Sequence, residues 1–153
     1  MTQSDHPVRR VATGLDAAGR SCVSHEDAVP VAHPVVGLAW ATRGHPADNC
    51  APCPPAAEWS ELIHAGGTTF LHVRMPPGAG APMHATDTID YITMISGEMT
   101  IVTETGEAVL RAGDVFVDRG VLHAWRNDGA QDAVYTSVTV AAHPVGAGRT
   151  DLP

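Results

Sequence analysis

Lysine is absent from this chain of 153 residues, and all nine of its basic side chains are arginines. Seventeen acidic residues bring the formal net charge to −8 at pH 7. A chain of this charge lacks the basic face that nucleic acids and polyphosphates require. The composition therefore argues against both classes of partner.

Long apolar runs are also missing, and none approaches the length that crosses a bilayer. The first residues, MTQSDHPVRRVATG, have no apolar core behind their arginines, so they do not form a secretory signal. We therefore expect a cytoplasmic protein without a membrane partner.

Cysteine is scarce, with Cys22, Cys50 and Cys53 forming an odd set. Cys50 and Cys53 belong to CAPC, but this motif lies in a proline-rich loop and not at a helix start, where a redox thiol has its pKa lowered. No second cysteine pair is present to complete a zinc site. We interpret the segment as a plain loop, with a surface disulfide or an adventitious metal as the alternatives.

Short apolar segments separated by turn residues fill the rest of the chain, and no segment shows a sustained helical period. This pattern is typical of a sandwich or a barrel made of one domain. We predict a long loop over Thr42–Glu58, a frayed tail from Pro144, and an edge strand near Val35–Trp40. The other predicted strands are Val8–Thr13, Ser21–Ser24, Thr68–Met75, Glu98–Thr103, Glu107–Arg111, Val115–Val117, Val121–Arg126 and Ala133–Val140.

The stretch from Gly78 to Gly97 carries the strongest chemical signal. Successive side chains of a strand point to opposite faces, so residues at even offsets share a face. That face carries His84, Thr86, Thr88, Asp90, Ile92 and Met94. A further histidine, His123, lies in GDVFVDRGVLHAWRN. Two imidazoles and one carboxylate are enough for a metal site with open coordination positions.

These two segments resemble the two motifs of the cupins. The first is similar to G-x5-H-x-H-x3,4-E-x6-G, with Thr86 in place of the second histidine and Asp90 in place of the glutamate. The second ends in G-x2-H-x3-N, and the proline expected before Gly120 is missing from VDRG. The resemblance implies an all-β fold, a single jelly-roll-like cupin barrel over 67–142. An N-terminal strand and loop extension, 1–66, would pack on it, and a tail would follow over 143–153. By analogy with cupins, such an extension pairs with a neighbouring subunit, so we expect a homodimer.

The resemblance also implies a ligand set. In metal-binding cupins the motif histidines and the acid hold the ion, which corresponds here to His84, Asp90 and His123. The expected cofactor is one divalent metal ion (Fe, Mn, Zn or Ni), with room left for water, substrate or dioxygen. The alternative is a hydrogen-bonded histidine pair inside a ligand cavity.

Other side chains are candidates for substrate contact. His72 and Arg74 share one face of the strand that leads into the first motif. If that face points inward, His72 would serve as acid or base and Arg74 would clamp a substrate carboxylate; if it points outward, both are surface residues. The predicted ligand pocket comprises Thr86, Ile92, Met94 and Trp125, although Trp125 as simple core filler remains an alternative.

Three functions fit this pattern. The first is a metal-dependent enzyme acting on a small organic substrate, acidic or polyketide-derived, with lyase, isomerase or dioxygenase chemistry. The second is a non-catalytic or metal-free cupin that only binds a small ligand. The third is a metal-free isomerase or epimerase in which His123 or His72 is the base.

Overall fold

A computed structural model describes residues 7–150, apart from the side chains of residues 63 and 64. Short strands make up most of the fold, and one helix of six residues, α1, lies among them. A single turn of 3₁₀ helix, Ala56–Glu58, precedes α1. The elements in chain order are β1 Arg9–Leu15, β2 Ser21–Ala28, β3 Val31–His33, β4 Val36–Thr42, α1 Trp59–His64, β5 Thr68–Met75, β6 Gly80–His84, β7 Thr88–Ser96, β8 Glu98–Thr103, β9 Gly106–Arg111, β10 Val115–Asp118, β11 His123–Arg126 and β12 Ala133–Ala141.

Two sheets enclose the core. The larger has six strands in the order β10-β7-β12-β5-β4-β3, and the smaller has four in the order β6-β11-β8-β9. Apolar side chains from both sheets are buried between them, among them Leu71, Ile92, Met94 and Met99. This arrangement confirms the predicted all-β, jelly-roll-like fold. No helix among residues 7–150 has the length and apolar character that a membrane span requires.

The N-terminal strands form a hairpin of their own, which confirms the two strands predicted near Val8–Thr13 and Ser21–Ser24. β1 and β2 pair only with each other in a two-stranded sheet. The ring of His25 meets the ring of Trp40 on β4 edge to face, with centroids 5.5 Å apart. Arg10 donates a hydrogen bond to the carbonyl of Ala39 at 3.2 Å. The hairpin thus lies against the outer face of the larger sheet.

The predicted edge strand needs correction. β4 pairs with β3 on one side and with β5 on the other, so β3 is the edge of the sheet. The helix α1 was not predicted, because six residues are too few to show a helical period. The predicted strands Glu98–Thr103 and Glu107–Arg111 are confirmed as β8 and β9, which form a hairpin with its turn between Thr103 and Gly106.

A glycine allows the loops of the two motifs to lie close together. Gly120 has φ +71°, a conformation that L side chains rarely adopt, and a Cβ there would collide with the carbonyl oxygen of Thr86. A larger residue would therefore push the turn between β10 and β11 away from the loop between β6 and β7. The glycine keeps the residues of the second motif close to His84.

The C-terminal segment is docked, so the prediction of a frayed tail is wrong for residues 144–150; its last part, 151–153, lies outside the described residues. Thr150 exchanges two hydrogen bonds with the backbone of Ala85, at 2.9 and 3.1 Å. The backbone N–H of Arg149 donates to Oδ1 of Asp87 at 2.8 Å, and the N–H of Ala142 donates to the Asp87 carbonyl. The loop that follows His84 is thereby held by the end of the described chain.

Asn127, the last residue of the second motif, stabilises the end of the sandwich opposite the loop that follows His84. Its side chain is fully buried, and its Nδ2 donates to the carbonyls of Met75 at 2.8 Å and Gln131 at 2.9 Å. Its Oδ1 accepts the N–H of Gly129 at 2.9 Å. The motif asparagine is therefore structural, because it joins the end of β5 to the turn before β12.

The CAPC segment is an open loop, as predicted. Cys22, Cys50 and Cys53 are all free thiols. Cys50 is exposed, and its backbone N–H is capped by Oδ1 of Asp48 at 2.8 Å.

Candidate active site inside the barrel

The sheets bring the two motif histidines face to face. His84 at the end of β6 is the direct partner of His123 at the start of β11, and their ring centroids are 4.4 Å apart. Only 8% of His84 and 3% of His123 is exposed. The Nδ1 atom of each ring lies 2.8 Å from a backbone carbonyl two residues earlier, that of Pro82 or Val121. An N–H at Nδ1 donates to each carbonyl, which leaves Nε2 as the lone-pair nitrogen of the neutral ring.

Asp118, at the end of β10, completes this pair. Its Oδ2 lies 3.0 Å from Nε2 of His123, and both side chains are almost fully buried. Its Oδ1 accepts the backbone N–H of Gly120 at 2.9 Å. Since Nδ1 of His123 already donates to a carbonyl, a hydrogen bond at Nε2 requires one more proton, on either the imidazole or the carboxyl group. His123 and Asp118 therefore share one exchangeable proton.

Asp90 lies beside Asp118. The two are direct partners in the β7–β10 ladder, and Thr139 is the partner of Asp90 on the other side. Burial raises the pKa of Asp90 to about 6, the hydroxyl of Thr88 works against this rise, and the charge of Asp118 adds to it. The Oδ1 atom of Asp90 is buried without any hydrogen-bond partner. Although the hydroxyls of Thr88 and Thr139 bond to the Asp90 carboxyl group, its Oδ1 atom thus remains available to a ligand.

Burial also acts on His84. Loss of solvent lowers the pKa of His84, the hydrogen bond to Pro82 partly offsets this, and a charge on His123 lowers it further. His84 is therefore neutral near pH 7 and offers a lone pair at Nε2. A neutral imidazole, a shared proton and a carboxyl group of raised pKa lie together, and this combination suits proton transfer.

The predicted ligand set does not form a metal site as it is arranged. Among residues 7–150, no group of three or more His, Cys, Asp or Glu side chains is placed to hold a metal ion. A metal ion would need Nε2 of His123 as a ligand atom, but this nitrogen is already in contact with the carboxyl group of Asp118. The hydroxyl of Thr86 accepts a hydrogen bond from Thr88 at 2.7 Å. The roles of His84, Asp90 and His123 as metal ligands remain a prediction.

Aromatic rings form one wall of the site. The indole of Trp125 meets the ring of His123 edge to face at 5.6 Å and stacks on Tyr135 at 5.9 Å. Phe116 contacts the same indole edge to face at 5.8 Å. Trp125 therefore lies next to the histidine pair, where we predicted it, and it fixes the orientation of the His123 ring.

Comparison with known proteins identifies the family. Residues 71–139 match the family model described as Cupin domain. Phomopsin biosynthesis cluster protein D of Diaporthe leptostromiformis is 34% identical, over 77% of this chain and 69% of its own. This chain is a cupin.

Two further proteins are similar to this cupin in sequence or in fold. The cupin-domain-containing oxidoreductase srdD of Neurospora crassa is 29% identical, over 75% of this chain and 64% of its own. A Klebsiella pneumoniae protein with a double-stranded β-helix domain is 24% identical, with a TM-score of 0.47, and the match covers 56% of this chain and 75% of the other.

The remaining predicted pocket residues of this cupin are distributed over the barrel interior. Ile92 and Met94 lie on the same face of β7 as Asp90, and both are buried in the core cluster. Thr86 lies in the loop after His84 and is half-buried. The structure thus places Trp125 beside His123, Thr86 in the loop after His84, and Ile92 and Met94 in the core on the face of β7 that carries Asp90.

His72 and Arg74 lie outside this site, because they are on the outer face of β5, the alternative that the sequence left open; their catalytic role stays a prediction. Leu71, Val73 and Met75 are the buried residues of β5, and His72 and Arg74 point to the opposite face. Arg74 pairs with Asp132 on the surface at 3.3 Å. The predicted carboxylate clamp therefore faces away from the barrel interior.

His72 lines a cavity of about 1560 Å³ outside the barrel. The hairpin, the loop over 42–55 and the outer face of β5 enclose this space. Partial burial lowers the pKa of His72, and the charge of Arg74 lowers it further. The sheet separates His72 from the histidine pair.

Asp118 was not among the predicted site residues. The segment VDRG carries this acid immediately before the turn that leads to His123, where the cupin motif has a proline. An acid at the end of an apolar strand, on the same face as Phe116, is the signal that could have revealed it.

Proposed function

We propose that this cupin is an enzyme of secondary metabolism that moves a proton on a small organic substrate inside the barrel. The observation that carries the proposal is the buried contact of 3.0 Å between Nε2 of His123 and Oδ2 of Asp118, next to His84. Relatives described as a biosynthesis cluster protein and as a cupin-domain-containing oxidoreductase support an enzymatic role in secondary metabolism.

The hydrogen bonds of each residue determine whether it accepts or donates a proton. His84 accepts a proton from the substrate at Nε2, because its Nδ1 is committed to Pro82 and burial keeps the ring neutral. The pair of His123 and Asp118 returns a proton at another substrate atom. Gly120 and Val121 hold this pair in place through their backbone groups. Removal and return of a proton result in isomerisation, and loss of a leaving group in the same process gives a lyase.

A metal-dependent oxidoreductase or dioxygenase is the second candidate. The buried Oδ1 of Asp90, which has no partner, favours it. A divalent ion (Fe, Mn, Zn or Ni) held by His84, His123 and Asp90 would supply Lewis-acid or dioxygen-binding chemistry. Asp118 would first have to release Nε2 of His123, since one lone pair cannot serve both partners.

Elemental analysis and isotope exchange separate the two candidates. Protein purified without a histidine tag and treated with chelator is incubated in D₂O with a small-molecule extract of the source organism. We expect mass spectrometry to show compounds that gain deuterium with the wild type and not with Asp118→Asn or His84→Ala. One bound divalent ion per chain, lost in both His84→Ala and His123→Ala, together with no exchange by the metal-free protein, would overturn the proposal in favour of the metalloenzyme.

A further inference from the structure

A row of polar side chains crosses the interior face of the larger sheet. Thr69 on β5 is the direct partner of Thr139 on β12, which is the partner of Asp90 on β7, which is the partner of Asp118 on β10. Directly paired residues of neighbouring strands point to the same face. We call Thr69, Thr139, Asp90 and Asp118 the polar row.

Two members of the polar row are buried without a hydrogen-bond partner. These are Oγ1 of Thr69, whose residue is 0% exposed, and Oδ1 of Asp90. Thr139, between them, is within 3.4 Å of the hydroxyl of Ser137. Buried polar atoms without partners are rare in folded proteins, because each forfeits the hydrogen bonds that it made to water. Both atoms lie on the interior face of the larger sheet, in the row that ends at Asp118, the partner of His123, and this position indicates a ligand that supplies the missing bonds.

The charges around the polar row indicate which ligand fits. Asp90 and Asp118 both lie there, whereas eight of the nine arginines are exposed. The ninth, Arg10, lies in the N-terminal hairpin and is paired with Asp27. A substrate carboxylate inside the barrel would face two acids and no arginine, which is costly in a buried site. A neutral hydroxyl group, in contrast, donates to the Asp90 carboxylate and bonds to the threonine hydroxyl equally well.

We propose that the barrel takes a neutral molecule with at least two hydroxyl groups, which bind to Oγ1 of Thr69 and Oδ1 of Asp90. This inference rests on the proposed function and names the substrate class of that site. Neighbouring strands lie about 4.8 Å apart, so the backbones at Thr69 and Asp90 are separated by roughly 10 Å. The two hydroxyl groups therefore lie along one edge of the ligand. Of the two substrate classes that the sequence led us to expect, acidic or polyketide-derived, the acidic one does not fit this arrangement.

A stability comparison tests the first step of this argument. Thr69→Val removes the unpartnered hydroxyl and keeps the shape of the side chain, so we expect the urea midpoint of the ligand-free protein to stay equal or rise. Thr100→Val is the matched control, because the buried hydroxyl of Thr100 donates to Oδ2 of Asp128 at 3.0 Å, and its loss should lower the midpoint. An equal decrease in both variants would mean that the Thr69 hydroxyl is satisfied inside the protein, by a buried water for example, and would overturn the proposal.

Binding of small probes tests the ligand class. Resorcinol, benzoate and anisole share a ring and differ in carrying two hydroxyl groups, a carboxylate, or a methyl ether. We expect resorcinol to shift the methyl resonances of Thr69 and Thr139 in ¹³C-labelled protein and to bind more tightly than the other two. Thr69→Val should weaken resorcinol binding about fivefold, the value of one neutral hydrogen bond. Thr136→Val, on the outer face of β12, should not change it. Benzoate or anisole binding as tightly as resorcinol, or no probe shifting these methyl groups, would overturn the proposal.

Asp118→Asn separates this inference from the proposed function. The variant lacks the proton that His123 and Asp118 share, yet it keeps Thr69 and Asp90, so it should bind resorcinol and fail to exchange deuterium. Intact resorcinol binding without any exchange by the wild type would refute the proton-transfer function alone. Exchange that depends on Asp118, without a preference for resorcinol, would refute the substrate class alone.

Discussion

Asp90 and Asp118 face each other as direct partners across the β7–β10 ladder, two acids side by side in the interior of a barrel. Only one of them is bonded to a histidine, because Asp118 contacts His123 and Asp90 leaves Oδ1 unpartnered. A buried carboxyl oxygen that lacks a partner destabilises the folded state, and a ligand or a substitution can remove this cost. The predictions for Asp90 and Asp118 depend on this relationship.

Asp90→Asn should stabilise the protein at neutral pH. Burial raises the pKa of Asp90 from 3.8 to about 6, so the ionised carboxylate costs roughly 3 kcal/mol at pH 7. Because the pKa is higher in the folded state, folding binds extra protons between pH 3.8 and about 6, and stability falls as pH rises through this window. Urea unfolding at pH 5 and pH 7.5 should show a smaller loss with pH in the variant.

Glu104→Gln, an exposed change in the turn between β8 and β9, is the control for this experiment. An unchanged pH dependence in Asp90→Asn would mean that Asp90 is not the group that destabilises the protein above pH 6.

Asp118→Ala should destabilise the protein more than Asp118→Asn does. Both remove the carboxylate, but only the alanine variant leaves Nε2 of His123 and the N–H of Gly120 without a partner in a buried site. We expect a loss of about 3 kcal/mol for alanine and about half of that for asparagine. Urea unfolding measures both, and equal losses would argue that the hydrogen bonds of Asp118 contribute little.

Asn127→Ala should be among the most destabilising single changes that leave the active site intact. Its side chain makes three buried hydrogen bonds, to Met75, Gln131 and Gly129. Loss of the side chain leaves two carbonyls and one N–H unsatisfied, which costs about 3 kcal/mol. The control is Asn49→Ala in the exposed loop, which should stay within about 0.5 kcal/mol of the wild type in the same urea assay.

Thr150→Val should loosen the loop that follows His84. The substitution removes the hydrogen bond from the N–H of Ala85 to the Thr150 hydroxyl, 2.9 Å long, and keeps the side-chain shape. Amide hydrogen exchange at Ala85 should become about tenfold faster, as expected for a loss of about 1.4 kcal/mol. Thr105→Val, in an exposed turn, should leave the exchange at Ala85 as it is.

The homodimer remains a prediction that light scattering can check. Val11, Leu15 and Val23 expose 49, 67 and 56% of their surface on the hairpin, which suits a contact with a second copy. We expect a dimer mass for the wild type and a monomer mass for Leu15→Ser combined with Val23→Ser. A wild type that stays monomeric at high micromolar concentration would refute this expectation.

The fold was predictable because its information is local. Alternation along the strands, glycine and proline at the turns, and the two cupin motifs were enough for the barrel and the hairpins. The docking of residues 142–150 was not predictable, because this segment has no apolar pattern and is held by hydrogen bonds of Thr150 and Arg149 with Ala85 and Asp87, which are distant in sequence.

The site was predictable only in part, because strand alternation does not tell which face is interior. In β12 the valines at 138 and 140 alternate with polar residues, yet Tyr135, Ser137 and Thr139 are the side chains that line the barrel interior. The same ambiguity placed His72 and Arg74 in the site. Asp118 was not predicted because its contact with His123 depends on the path of the turn at Gly120. The spacing of residues along a strand does not reveal that path.

The docking of residues 142–150 over the loop after His84 has a practical consequence. An affinity handle fused behind this segment would add bulk, and often histidines, beside the barrel site whose metal content is in question. A cleavable handle placed ahead of β1 would be attached to the separate hairpin and kept away from that loop. Expression vectors for the elemental analysis are best designed accordingly.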